Sequence, residues 1–276
     1  MPAPQKSVLS QLCKTNFIAK GIKLPVDWST PGEQYDDAFD AAEKQVVPNS
    51  PMNLFVQASL NKYHVDAAKQ VNDVLDAYIE GICGAICSGI DQWLKAASIA
   101  GVVVNGPVGV LAPGNVIGSP LAGLILGAAP MNTAQEQKFS NAIANALGVG
   151  WQSWSAGLGG VLSYPLFAAF PGPLAPPTPN VPVPLLTMAS PGEAQLTPAA
   201  LHGAMQANLA DPTAMHASEL FDALATAFAN VFQIFKSTTM VQNVLGTGPV
   251  PTFAPPAAPV GPVVGGTGNG APGCIL

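Results

Sequence analysis

The chain has 276 residues, of which 49% are hydrophobic and only 9% charged, with 28 glycines and 28 prolines. Its 10 basic residues are all lysine, they form no cluster, and the net charge is -6. Neutralising phosphate takes concentrated Lys and Arg, so this composition argues against nucleic acid as a partner and against a polybasic grip on a membrane surface.

The N-terminal text, MPAPQKSVLSQLCKTNF, has no continuous apolar core and does not read as a conventional signal peptide. Thr30 before Pro31 opens a helix, PGEQYDDAFDAAEKQV, which Pro48 stops. Asp36, Asp37, Asp40 and Glu43 of this helix read as a solvated acidic face, since they lack the ligand alternation and glycine of a calcium loop. Ser50 before Pro51 marks another start, and a long helix is expected over 65–98. Cys83 and Cys87 lie one turn apart on it and read as small core hydrophobes. Thr133 with Glu136 reads as a capping box. Thr197 before Pro198 and Asp211 before Pro212 read as two further helix starts.

Three stretches carry no charge: between Lys95 and Glu136, between Lys138 and Glu193, and after Lys236. Each follows a helical pattern. Ile79, Ile82, Ile86, Ile90 and Trp93 repeat at helical steps, as do Phe221, Leu224, Phe228, Phe232 and Phe235, and between them Ile143, Leu147, Trp151 and Trp154. The uncharged text after the first and last of these helices carries prolines at matching offsets. Pro107, Pro113 and Pro120 answer Pro249, Pro255 and Pro262. The chain therefore reads as three units, each an amphipathic helix followed by a proline-rich strap. Proline cannot donate into a central ladder, so the straps are expected to lie extended over another surface and not to form a sheet. The expected fold is mainly α with extended Pro/Gly-rich arms and few or short strands. Its boundaries are an N-terminal segment 1–49 and units 50–130, 131–192 and 193–276.

No catalytic pattern emerges. His64, His202 and His216 are far apart, and WSAGLGG resembles a nucleophile elbow only superficially. GTGNGAPG satisfies GxGxxG at Gly268, Gly270 and Gly273, but no helix can follow it as phosphate binding requires, so it reads as a tail. No cofactor and no metal ligand set are expected. The large aromatics Trp93, Trp151, Trp154, Phe232, Phe235, Phe170 and Phe253 are candidate core or subunit-interface anchors.

These readings lead to an expected structural subunit of a large protein assembly, not an enzyme, whose partners are copies of itself or other subunits. A chain without an export signal and so poor in charge suits cytoplasmic synthesis followed by incorporation into a particle, such as a virion or a phage-tail-like assembly. A membrane-associated or pore-forming protein, built from hairpins in the uncharged stretches, is the second expectation. An enzyme with an unrecognised site is the third.

Overall fold

The computed structural model describes residues 3–22, 62–167, 174–251 and 262–276. The acidic helix after Pro31, the start at Ser50, and Phe170 and Phe253 lie outside the described residues. Six α-helices form one half of the molecule: α1 (Lys6–Ile18), α2 (Lys62–Ala96), α3 (Leu121–Leu126), α4 (Ala134–Ala156), α5 (Pro198–Leu209) and α6 (Ala217–Thr238). Helix α1 lies against α2 and α6, α3 bridges α2 and α4, and α5 bridges α4 and α6. Every residue of the three apolar helix faces is buried, from Ile79 to Trp93, from Ile143 to Trp154 and from Phe221 to Phe235. Helix α4 begins with the full capping box. The Thr133 hydroxyl accepts from the Glu136 N–H, and the Glu136 carboxylate accepts from the Thr133 N–H.

The straps are where the expectation fails. They are the strands of a seven-stranded antiparallel sheet: β1 (Ser98–Asn105), β2 (Val108–Leu111), β3 (Val116–Ile117), β4 (Gly160–Ser163), β5 (Leu174–Pro179), β8 (Val244–Pro249) and β9 (Gly266–Gly270). The order is β4-β2-β1-β9-β8-β5, with β3 also paired to β1. The protein is therefore mixed α/β, not mainly α with few strands. The prolines are accommodated at places that need no donor. Gly106, at φ +61°, and Pro107 form the two-residue turn between β1 and β2, the type II′ pattern with glycine first. Pro176 and Pro177 fall where the β5–β8 register slips, and Pro249 ends β8. The two proline rulers thus open differently, Pro107 in a turn and Pro249 at a strand end, and Pro255 lies outside the described residues. They meet end to end, Gly106 N–H donating to the Val263 carbonyl at 2.7 Å.

The GTGNG text is not a tail. It is β9, paired on one side with β1 and on the other with β8. Beyond it, residues 274–276 exchange backbone bonds with 240–242, extending the small pair β6 (Val183–Pro184) and β7 (Met240–Val241). Cys274 and Ile275 are buried there.

The inner face of the sheet mixes large side chains with glycines: Ile99, Val102, Val104, Leu111, Leu162 and Val244 are buried there beside a band of glycines. The band holds Gly109, Gly246, Gly248, Gly266, Gly268 and Gly270. The cause is Tyr164, which follows β4 and lies under three strands. A Cβ at Gly109, Gly246 or Gly268 would come within 2.7 Å of its ring or hydroxyl. The Val263 side chain fills the equivalent space under Gly248 and Gly266. Phe167 stacks beside Tyr164 at 5.4 Å between ring centroids. Gly101, at φ +75°, supplies the bulge that lets β1 keep its pairing with β9.

Candidate interaction surface

Of the seven aromatics singled out from sequence, five converge. Trp93, Trp151, Trp154, Phe232 and Phe235 are each 1–2% exposed. Trp93 meets Trp151 edge-on at 5.2 Å, Trp151 meets Trp154 at 4.8 Å, and Trp154 meets Phe232 at 5.1 Å. They come from the last turns of α2, α4 and α6, just before each helix gives way to its strands. As placed here they tie the chain's own helices together.

The outward surface lies elsewhere. Successive side chains alternate faces, so each strand that buries one set of residues presents the other set outward. The register sets Val161, Val110, Val103, Thr267 and Thr247 in one row across β4, β2, β1, β9 and β8. The flanking rows hold Ser163, Val108 and Asn105 on one side, and Asn269 and Leu245 on the other. The four valines are 40–56% exposed. None of the described strands contains a charged residue. Sequence reading missed this surface. The signal was there in the period-two text VLGTGP and GTGNG, where glycine recurs at alternate positions.

Both sheet edges are closed to further pairing. Strand β5 carries Pro176, Pro177 and Pro179, which have no N–H to offer. Along β4, Ser163 already accepts from the Val181 N–H at 2.8 Å, and Gly159 exchanges bonds of 2.9 and 3.0 Å with Ala189.

A cleft of about 570 Å³ opens between α1, α2, α4 and α6. Phe17, Val74, Phe139, Met215 and Leu220 make it apolar. Its carboxylate, Glu136, is occupied in the capping box. The Tyr78 hydroxyl lies 3.3 Å from Ser140 Oγ, and burial pushes its pKa well up. His216, at the rim, begins α6 at φ +58°. The cleft therefore offers apolar contact and no paired acid and base.

The remaining candidates are structural in setting. The Cys83 thiol is held well above the usual thiol range by its hydrogen bond with Cys13 and by burial, and burial raises Cys87 to about 12. His202 meets Ser218 at 3.1 Å. Among the described residues, no group of three or more His, Cys, Asp or Glu could hold a metal ion, and no helix is long and apolar enough to cross a membrane. The chain matches no protein-family model, no curated protein and no solved structure.

Proposed function

We propose that this protein is a structural subunit of a larger protein assembly, and that its sheet supplies contact surface to neighbouring subunits. The observation that carries the reading is the outer face of the sheet, where valines stand in the positions that an antiparallel sheet facing water fills with polar side chains. The described parts of the straps are strands already paired within the chain, so they do not serve this contact as loose arms. Shielding apolar area from water drives the association, and a surface that is already rigid limits the entropy lost on docking. Among the described residues the carboxylates and lysines lie on or beside the helices and none lies in a strand, which favours solubility of the free subunit.

The test is native molar mass across a concentration series in detergent-free buffer, by light scattering after size exclusion. Species heavier than one chain, growing with concentration, support an assembly subunit. A monomer at every concentration removes the reading. Liposome flotation tests the membrane alternative, for which an assembly subunit stays at the bottom of the gradient.

A further inference from the structure

We infer that the outer face of β4, β2, β1, β9 and β8 docks against the same face of a second copy of this chain, sheet on sheet. This rests on the assembly reading above and names the partner. Three observations select a second copy. First, the protein carries a net charge of -6. Two copies of net negative charge repel overall, and like charges are opposed wherever charged surfaces of the two meet. The described strands hold no charge, so the sheet is a surface on which two copies meet without like charges opposed. A neutral patch of Val, Thr and Asn is its own complement under a two-fold axis, as an isologous contact requires.

Second, the sheet offers a face and no free edge. Prolines close the β5 side, and bonds from Val181 and Ala189 close the β4 side. Continuous strand pairing between copies is blocked, which leaves stacking as the mode of contact.

Third, the size of the patch suits a reversible contact. Five strands of four to five residues cover roughly 400 Å² per copy at ordinary strand spacing and rise. A stable isolated dimer uses about 800 Å² per partner. One such contact is weak by itself and gains strength only where each subunit makes several.

The inference is tested by comparing the wild type with Val110→Lys and with Val149→Lys, the latter on the exposed side of α4, away from the sheet. Val110 sits in the outer row between Val161 and Val103. A lysine there places two ammonium groups opposite each other across an apolar contact, and the dissociation constant is expected to rise roughly tenfold or more. Val149→Lys is expected to leave association unchanged. As a second readout, Val103→Cys adds an outward thiol to a chain whose four native cysteines are all buried. A short bismaleimide should then yield a covalent dimer, which Val110→Lys in the same chain suppresses. Wild-type association that survives Val110→Lys undiminished, with no cross-linked dimer, overturns the face-to-face contact and leaves the assembly reading in place. A wild type that stays monomeric throughout removes both.

Discussion

Tyr164 offers the most direct test of how the sheet is held. Its side chain is 4% exposed, and it underlies Gly109, Gly246 and Gly268 on three different strands. Truncating a buried aromatic to alanine costs about 3–5 kcal/mol, which is a large share of the roughly 5–15 kcal/mol stability of a folded domain. Tyr164→Ala should reach that range, because glycines cannot collapse into the space left by the ring. The hydroxyl behaves in the opposite sense. It is buried and has no hydrogen-bond partner among the described residues. Leaving such a group unpaired costs about 1–3 kcal/mol, so Tyr164→Phe should raise stability by on the order of 1 kcal/mol. Burial also pushes the Tyr164 pKa up to about 12. The unfolded chain loses this proton near pH 10 and the folded chain only near 12. Stability from this group is therefore complete below pH 10 and falls as pH rises towards 12. Tyr164→Phe should remove that part of the alkaline loss. Urea unfolding followed by circular dichroism, at neutral pH and from pH 9 to 11.5, reads all of these effects. A Tyr164→Ala loss below about 1 kcal/mol, or a clear Tyr164→Phe destabilisation, would refute the account of the ring as the floor of the sheet.

Three further outcomes follow from the same structure. Lys14 is 4% exposed, with its ammonium 2.8 Å from Asp76 and 2.7 Å from Glu80, and it binds α1 to α2. The hydrogen bond from Lys14 is the main cause that lowers the Glu80 pKa, so this contribution is present above about pH 4.5 and disappears in acid. Lys14→Met should cost about 2 kcal/mol at neutral pH, a figure discounted because both carboxylates are partly solvated, and should flatten the acid limb of the stability profile. Thr133→Ala removes half of the capping box and should cost about 1 kcal/mol, measured by thermal unfolding. Ending the chain after residue 263 removes β9 and the segment that pairs with 240–242. The strand signal in circular dichroism should collapse and proteolysis should cut between 98 and 117, whereas a truncated chain with an intact sheet would contradict the observed pairing.

The helical half was legible in the sequence because its rules are local. The steps of three and four residues placed fourteen apolar side chains on three faces, and all are buried. Thr133 caps α4 through bonds that span three residues. Asp211 misled for an equally local reason. Its carboxylate accepts from the N–H and hydroxyl of Thr213, closing a turn, and α6 starts only at Ala217. The sheet was not legible, because β8 and β9 bury glycines where a strand is expected to bury large side chains. A glycine run reads as loop unless one knows that Tyr164, a hundred residues away from Gly268, lies under it. Proline density suggested straps, yet each described proline of the sheet stands at a turn, a bulge, an edge or a strand end. The outer valines escaped notice for the same reason, since a surface can be recognised only after the strands are.

The position of β9 bears on the order in which the molecule can form. It is the latest of the seven strands in sequence and sits between β1 and β8, so the sheet cannot close until residues 266–270 arrive. Contacts spanning some 165 residues of chain belong to the slow end of folding, since loop closure must precede the contacts that reward it. The helices, whose bonds are local, can form first, and the β1–β2 hairpin can join them through its own tight turn. Until β9 inserts, β1 and β8 each present an open edge, and the neutral strands around them have no charge to keep chains apart. Refolding yield should therefore fall with protein concentration more steeply than native stability alone would suggest.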